Sequence, residues 1–311
     1  MSSSSTPDER EPGPAVQDGL TSVIIVAADS GAGPAECVAR VLDSAASAEV
    51  IIVDNASADG CVDAVESRWA RDARVRIVRN GRNLGFGTGC NRGAAIATGD
   101  ALLFLNPDCA VAPDTLARLR AAAEPATGML GVDIVDAEGL SEPASRRRDP
   151  LLRRAIMALS GLARFERRWP ALAGVVLPPA SNRPPVEDVD AVSGALMYVP
   201  RAVFERIGGF DESYFLHAED LDLCRRVRDA GLRVTCVNGI KVMHGKGGSS
   251  RHRPLFVARH KHRGMWRWFV KFDPAARNPL LRATVWLGLW LHFAALLPTN
   301  VWRQARAGAQ R

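Results

Sequence analysis

The sequence predicts an α/β protein whose first half forms a parallel β-sheet covered by helices on both faces. Four short apolar runs recur within the first 105 residues, and stretches of helical composition separate them. Runs that are apolar on both faces and alternate with helices are typical of a parallel sheet buried on both sides. With 47% hydrophobic and 24% charged residues among 311, the composition is globular and excludes a chain that is disordered over most of its length.

The predicted elements follow one another in regular order. The four runs predicted as strands are residues 23–27, 50–53, 75–78 and 101–105. The helices predicted between them are residues 34–46, 59–71 and 87–98. Ligands of such sheets bind at the carboxyl ends of the strands. We therefore expect the functional residues in the loops that follow these runs.

The second run ends in VDNASADG, residues 53–60. Asp54 and Asn55 would leave the strand there, and Ser57 or Asp59 would cap the next helix. The motif fits an Asx turn that only starts the helix. It fits equally well a carboxylate at Asp54 that accepts hydrogen bonds from a ligand, such as a nucleobase N–H.

A glycine-rich segment, NLGFGTGCNRG at residues 83–93, follows the third run. Glycines let the backbone approach a ligand closely, and the N-terminus of the next helix favours anions. The spacing is neither G-x-G-x-x-G nor that of a P-loop, which disfavours a dehydrogenase or a P-loop NTPase. The candidate ligand-binding residues in this segment are Asn83, Gly85, Gly87 and Asn91.

The fourth run continues into LFLNPDC, which places Asp108 three residues beyond Leu105. A carboxylate at this strand end could hold a divalent cation that neutralises a diphosphate. It could also be an ordinary turn residue. The three strand ends together are more specific than any one of them.

A second cluster lies far downstream. Glu219 and Asp220 open a predicted helix that ends in arginines before Gly231, an order of charges that suits the helix dipole. The apolar residues YFL at 214–216 precede these acids, and an apolar neighbourhood raises a carboxyl pKa toward the range useful to a general base. His244, before a glycine- and serine-rich stretch, is either a structural residue or a ligand.

The two ends of the chain differ in character. Residues 1–19 are rich in Ser, Pro and acids and are expected to be a disordered leader, without the apolar segment of a signal peptide. From residue 251 onward, twelve Lys and Arg face one acid, so residues 1–250 carry a net charge of −5. The six cysteines have no metal-site spacing, and we expect reduced thiols in a cytosolic protein.

Two basic segments indicate an anionic partner surface. The apolar run 283–297 has fifteen residues, fewer than the ~20 that span a bilayer, and predicts a membrane-surface or re-entrant helix; a buried terminal helix is the alternative. Residues 145–169 are basic and amphipathic, and predict either a solvated helix face or arginines that meet a lipid-linked diphosphate. The apolar run argues against nucleic acid as the partner.

Taken together, these motifs resemble the inverting glycosyltransferases of family 2, in the branch that contains bacterial rhamnosyltransferases. The resemblance covers residues 23–250 in the family's order. The matching segments are VIIV, VDNASADG, NLGFGTGCNRG, GDALLFLNPD, VSGALMYVPRAVFERIGGFDESYF, HAEDLDLCRR and residues 244–250.

The resemblance implies a GT-A nucleotide-diphospho-sugar transferase fold, with a Rossmann-like mixed sheet flanked by helices. It divides the chain into the leader 1–19, a catalytic domain 20–250 and a helical extension 251–311 that associates with membrane. The residue roles implied are Asp220 as general base with Glu219 beside it, Asp54 at the nucleobase, Asp108 and His244 on Mg²⁺ or Mn²⁺, and Asn83, Gly85, Gly87 and Asn91 around the donor.

The implied activity is transfer of a sugar from a nucleoside-diphosphate donor, TDP-rhamnose being favoured, to a glycan or polyprenyl-diphosphate-linked saccharide. It would take place at the inner face of the cell membrane, in cell-envelope polysaccharide synthesis. Ala27, Ala28 and Asp29 stand where the family usually has Thr-Tyr-Asn. This departure keeps open an alternative, a non-catalytic nucleotide- or sugar-binding homologue. A nucleotidyltransferase is disfavoured because the loop 30–33 after the first strand has no basic residue.

Overall fold

The computed structural model describes residues 15–44, 46–178, 182–245 and 253–308, with the backbone alone for 303–308. The strands are β1 (Gln17–Ala27), β2 (Ala48–Asp54), β3 (Val75–Arg79), β4 (Gly99–Leu105), β5 (Cys109–Ala110), β6 (Thr127–Val135), β7 (Val186–Asp188), β8 (Leu196–Pro200) and β9 (Arg233–His244). The α-helices are α1 (Gly33–Leu42), α2 (Cys61–Trp69), α3 (Phe86–Ile96), α4 (Thr115–Ala122), α5 (Leu152–Leu159), α6 (Arg201–Arg206), α7 (Glu219–Asp229), α8 (Pro254–Phe272) and α9 (Pro279–Gly308).

These strands form one mixed sheet in the order β3-β2-β1-β4-β8-β6-β9-β5, with β7 paired to β9. The first four strands are mutually parallel, and β8 pairs antiparallel to β4. The predicted α/β class, with a mixed sheet flanked by helices, is therefore confirmed. All four predicted strands and three predicted helices are present. β1 begins at Gln17, inside the segment predicted as a leader, while residues 1–14 lie outside the described residues.

Each face of the sheet carries its own apolar core. Along β1, Val23 and Ile25 point to one face and Ile24 and Val26 to the other, as the two-residue period of a strand requires. Helices α1, α2 and α4 cover the first face, and α3, α6, α7 and α8 cover the second. All six cysteines are buried free thiols, in agreement with the expected reduced state.

Helix α8 packs directly against the second apolar core of the sheet. Trp268 is completely buried in the second core, and Lys271 Nζ lies 2.9 Å from Asp211 and 2.5 Å from the fully buried Asp222. Charges that stay buried are normally paired in this way. Helix α8, the first helix of the segment predicted as a C-terminal extension, thus shares a core with the sheet; the division of the chain after residue 250 stays a prediction.

Helix α9 lies on α8 and leaves its other side exposed. His262 and His292 hydrogen-bond through their rings at 2.9 Å, which ties the two helices together. The stretch Pro279–Trp302 has 24 residues and contains an 18-residue window with a mean hydropathy of 1.6, so it is long and apolar enough to cross a membrane. The apolar run of fifteen residues counted in the sequence, 283–297, is shorter than this stretch, because the helix also includes the apolar residues around Arg282 and continues through Pro298. This exposed apolar helix indicates membrane association.

Candidate active site

A cavity of about 430 Å³ opens at the carboxyl end of the parallel strands. It lies where such sheets bind their ligands, near the change from the parallel strands to the antiparallel strand β8. Six of the nine predicted site residues line it: Asn83, Gly85, Asp108, Glu219, Asp220 and His244.

Asp108 and His244 meet on one wall of the cavity. The chain turns after β4 through Asn106 and Pro107, and the short strand β5 then pairs with β9 so that Cys109 lies opposite His244. Asp108 Oδ1 is 3.2 Å from His244 Nε2, and the Gly245 N–H donates to the Asp108 carbonyl at 2.9 Å. Two residues 136 positions apart are thus placed side by side by the sheet.

The chemistry of this wall fits a Mg²⁺ or Mn²⁺ ion. Asp108 offers a carboxylate, the ligand type that suits these ions, His244 places an imidazole nitrogen beside it, and both side chains remain partly exposed to the cavity. Cys109 lies within the same cluster, but burial raises the pKa of its thiol well above the usual value. A neutral buried thiol is a poor ligand for either ion, so Asp108 and His244 are the candidate ligands.

Glu219 and Asp220 lie on another wall, at the start of α7. The turn before them places His217 and Ala218 in the left-handed region, at φ 67° and 72°. Such a conformation is strained for residues other than glycine. Gly264 of α8 supports the turn from behind, because a Cβ at this position would lie 2.5 Å from the His217 carbonyl oxygen. The strain therefore belongs to a turn that α8 holds in place.

Asp220 is held by three donors. Arg147 Nη2 donates to its Oδ2 at 2.5 Å, the Leu221 N–H donates to Oδ1 at 2.8 Å, and the Gly194 N–H donates to Oδ2 at 3.3 Å. Burial raises the pKa of Asp220, but the charge of Arg147 and its hydrogen bond outweigh burial and lower the pKa below its usual value. Asp220 is therefore ionised at neutral pH.

Glu219, the residue before Asp220, has its pKa shifted in the opposite direction. It is 6% exposed, and its Oε2 has no hydrogen-bond partner among the described residues. Burial first, and then the negative charge of Asp220, raise the pKa of Glu219 to about 8. The pair thus presents one ionised and one protonated carboxyl group at neutral pH. Two carboxyl groups whose environments drive their pKa values apart are typical of acid–base sites.

The glycine-rich segment joins the cavity through Gly85. This residue has φ +88°, and a Cβ on it would lie 2.4 Å from the Phe215 carbonyl oxygen. That carbonyl accepts the Phe86 N–H at 3.0 Å, and Asn83 Oδ1 accepts the Gly85 N–H at 3.0 Å. Only glycine fits this close approach, which connects the start of α3 to the loop before the acidic pair.

Gly87 and Asn91 lie away from the cavity and serve the packing of α3. A Cβ on Gly87 would lie 3.1 Å from Phe210 Cβ. Asn91 accepts the Phe210 N–H at 2.8 Å and donates to the Phe210 carbonyl at 3.0 Å. The structure therefore does not place these two predicted donor-binding residues in the cavity.

Asp54 lies at the end of β2, outside the cavity lining. Its carboxylate accepts the Ser57 N–H at 2.8 Å and an Arg79 Nη1 hydrogen bond at 3.1 Å. Asn55, the next residue, does line the cavity, and its side chain donates to the Gly85 carbonyl at 3.0 Å. Asp29, on the loop after β1, lines the cavity as well.

Arg147 is a further cavity residue that the sequence reasoning did not single out. Residues 145–169 were predicted as a continuous amphipathic segment, yet the helix covers only Leu152–Leu159. Arg147 precedes it in an extended segment and points inward to Asp220. Pro150 was the available signal, since the residues before a proline avoid helical conformation.

Comparison with known proteins shows which family the sequence matches. A model of the family "Glycosyl transferase family 2" matches residues 22–168. The chain is 32% identical over 260 residues to the N-acetylglucosaminyl-diphospho-decaprenol L-rhamnosyltransferase of Mycobacterium tuberculosis, covering 75% of this chain and 82% of that protein.

Solved structures share the fold. The mannosyltransferase PcManGT of Pyrobaculum calidifontis, solved with GDP-Man and Mn²⁺, superposes with a TM-score of 0.55 at 20% identity, covering 96% of this chain and 79% of that one. GalNAc-T7, solved with UDP, GalNAc and Mn²⁺, gives a TM-score of 0.61 at 19% identity, covering 85% of this chain and 51% of that one. These likenesses show the fold, and the sequence matches show that the chain is a glycosyltransferase and belongs to glycosyl transferase family 2.

Proposed function

We propose that this chain transfers a hexose, with rhamnose favoured, from a nucleoside-diphosphate donor to a hydroxyl of a polyprenyl-diphosphate-linked saccharide, with inversion at the anomeric carbon. The observation that carries the proposal is the shared cavity. Asp108 and His244 line one wall, and the ionised Asp220 and protonated Glu219 line another. The relative from M. tuberculosis, named for decaprenol-linked acceptor chemistry, supports the acceptor class.

The donor diphosphate is proposed to lie against the wall formed by Asp108 and His244. These two residues would hold Mg²⁺ or Mn²⁺, and the bound ion would neutralise the negative charge that gathers on the leaving diphosphate. The N-terminus of α3, which begins just after Gly85, adds a favourable potential for anions. Asn83 lines the same part of the cavity.

Asp220 is proposed to act as the general base. The acceptor hydroxyl gives its proton to the Asp220 carboxylate while its oxygen forms a bond to the anomeric carbon. On the opposite face of the sugar, the bond from that carbon to the diphosphate oxygen breaks, and the nucleoside diphosphate leaves with the electron pair. This single displacement inverts the configuration. A positioned base contributes typically ~10²–10⁴-fold to the rate.

Glu219 is proposed to orient the acceptor. Its protonated carboxyl can donate a hydrogen bond to an acceptor oxygen, which the ionised Asp220 cannot do. Its Oε2 has no hydrogen-bond partner within the described part of the chain. A neutral donor beside a charged acceptor would fix the hydroxyl with its proton toward Asp220.

The nucleobase is proposed to bind near Asp54 and Asn55. Asp54 and Arg79 form an ion pair at the ends of the neighbouring strands β2 and β3. The adjacent Asn55 and the loop residue Asp29 both line the cavity. Contact between Asp54 and a base N–H stays a prediction, because its carboxylate is already held by Arg79 and Ser57.

The membrane is the proposed location for two reasons, the lipid-linked acceptor and the exposed apolar surface of α9. A polyprenyl-linked saccharide stays in the bilayer, and α9 exposes an apolar surface of the right length. The cavity would then work on lipid-linked acceptors at the cytoplasmic face, where nucleotide sugars are made.

The test is a transfer assay with the full chain in detergent or vesicles. A synthetic polyprenyl-diphosphate saccharide is combined with TDP-rhamnose, UDP-sugars or GDP-sugars, with Mn²⁺ or with EDTA, and the product's anomeric configuration is read by NMR. Transfer from one donor with inverted configuration supports the proposal. Retained configuration contradicts the single displacement.

The altered residues after β1 favour one rival, a binding homologue without catalysis. Ala28 and Asp29 line the cavity where the family usually has other residues. A donor nucleotide that raises the melting temperature, together with no transfer to any acceptor, would favour this rival. Transfer by wild type, lost in Asp220→Asn, would exclude it.

A further inference from the structure

A second apolar surface lies far along the chain from α9. It belongs to residues 152–172, here called the arginine-rich excursion, which contain α5 and two short 3-10 helices, Leu162–Phe165 and Pro170–Leu172. Its large apolar side chains are exposed, Leu159 by 81% and Trp169 by 54%. The others exposed are Ile156, Leu162 and Phe165. Five large apolar side chains exposed within one short segment indicate an interaction surface.

The same surface is strongly basic. Five arginines in residues 152–172 face one acid, Glu166. Glu166 accepts a hydrogen bond from Arg148 at 3.2 Å, so it is already neutralised. Within the described part of the chain, Arg164, Arg167 and Arg168 form no ion pair. Apolar and aromatic side chains interleaved with unpaired arginines are typical of segments that lie in a membrane interface.

The excursion is rooted beside the cavity. The chain leaves the cavity wall at Arg147, which contacts Asp220. It returns at Val176, which forms a β-bridge with Arg147. The Arg148 N–H donates to the Val175 carbonyl at 2.7 Å, which closes the base of the excursion. Its position is therefore fixed relative to the catalytic carboxylates.

The excursion also meets the start of the membrane helix. The Leu152 N–H donates to Asp273 Oδ2 at 2.6 Å, and Asp273 lies in the turn between α8 and α9. Leu280 and Leu281, on the first turn of α9, are exposed as well. The start of the excursion and the start of α9 thus lie near the same turn.

We propose that the arginine-rich excursion docks on an anionic lipid bilayer as a second membrane contact, independent of α9. Its apolar side chains enter the interface while Arg164, Arg167 and Arg168 meet lipid phosphates. If the proposed function holds, this contact keeps the cavity mouth at the surface where a polyprenyl-linked acceptor lies. The docking itself does not depend on the donor or the acceptor.

The test places an environment-sensitive fluorophore on Leu159→Cys in the full chain. All six native cysteines are buried, so the introduced thiol is labelled selectively. The protein is mixed with phosphatidylcholine vesicles, with or without a quarter of phosphatidylglycerol, and quenching by brominated lipid reports insertion. The matched control is Val16→Cys, an exposed apolar position before the amino end of β1.

We expect the Leu159→Cys probe to shift to the blue and to be quenched on anionic vesicles, while the Val16→Cys probe stays aqueous. Replacing Arg164, Arg167 and Arg168 by Gln should lower the ratio of inserted to aqueous probe about 100-fold, since each interfacial arginine adds about a tenfold preference or less. A probe that stays aqueous in vesicle-bound protein overturns the proposal. A blue shift of the probe at high protein concentration without vesicles would indicate self-association of the chain and would also overturn the proposal. Failure of the full chain to bind either kind of vesicle would overturn it as well.

Discussion

Arg147 Nη2 lies 2.5 Å from Asp220 Oδ2 and joins residues 73 positions apart in the chain. The arginine enters the cavity from the root of the arginine-rich excursion, and the aspartate comes from the start of α7. The positive charge of Arg147 outweighs burial, which raises the pKa of Asp220, and so keeps the proposed base ionised. The electrostatic state of the base thus depends on a residue from another part of the fold.

Replacing Arg147 should move the acid limb of the pH–rate profile. Arg147→Met leaves burial and Glu219 unopposed, so the pKa of Asp220 rises, by about 1–3 units for an aspartate that loses an arginine partner. Activity then falls more at acid pH than at pH 8. The measurement is the pH dependence of kcat/KM. Arg147→Lys, which keeps the charge, is the control and should retain most of the profile; an unchanged profile in Arg147→Met would contradict the assignment.

Asp220→Asn should abolish transfer while leaving donor binding nearly unchanged. The amide has the same shape but cannot accept the acceptor proton, so kcat should fall by ~10²–10⁴. Single-turnover rates and donor affinity by calorimetry separate the two effects. Near-normal turnover in this variant would mean that another group takes the proton.

Asp108→Asn should remove the effect of metal on donor affinity. In wild type we expect Mn²⁺ to strengthen nucleoside-diphosphate binding, because the Asp108 carboxylate and His244 imidazole form the candidate cation site. In the variant, affinity with Mn²⁺ should fall to the level measured with EDTA. Equal donor affinity in wild type with Mn²⁺ and with EDTA would argue against the site.

Folding stability should depend on pH through Glu219. Its pKa is 4.5 ordinarily and about 8 in the folded chain, so folding takes up a proton between these values. The stabilising effect of the protonated form is complete below the ordinary value and is lost as pH rises through this window, by at most about 1.4 kcal/mol per pH unit. The side chain in Glu219→Gln cannot ionise. The melting temperature of this variant minus that of wild type should therefore increase from pH 5 to pH 8. A difference in melting temperature between variant and wild type that stays constant with pH would contradict the raised pKa of Glu219.

Gly264→Ala should destabilise the chain and disturb the cavity. The new Cβ would lie 2.5 Å from the His217 carbonyl oxygen, a backbone atom that cannot rotate away. Overpacking of this kind costs about 1–3 kcal/mol. Thermal unfolding measures the loss. Gly288→Ala is the matched control: nothing lies within 4 Å of its Cβ and alanine favours a helix, so it should unfold no earlier than wild type.

Charges on α9 should release the chain from membranes. Leu287 and Leu291 are exposed, and replacing both by Asp places two charges within the apolar stretch, each costing about 3 kcal/mol near the centre of a spanning helix. Cell fractionation should show a larger soluble share of the double variant than of wild type, while the contact proposed for the excursion would keep the rest on the membrane. Leu140→Asp, at an exposed position outside α9, is the control and should stay with the membranes.

Local patterns were enough to predict the sheet strands of the first half. The apolar runs around Ile25 and Ile52 are short, buried on both faces and separated by helical stretches, and both features act within a few residues. Asp108, Glu219 and Asp220 were identifiable because each follows a recognisable strand end or opens a helix. Asn91 hydrogen-bonds to the backbone of Phe210 instead of lining the cavity, and a polar side chain near a glycine-rich turn gives no sign in the sequence of which of these it will do.

The sequence by itself determined the fold class, the family, and the carboxylates at the strand and helix ends, because these depend on local periodicity and on residues in a fixed order. Only the tertiary structure decided how those groups behave. It brought His244 to Asp108 through the pairing of β5 with β9, and Arg147 to Asp220 through the root of the excursion. Charge states depend on burial and on neighbours a few ångströms away, and such neighbours come from distant positions that no local pattern connects.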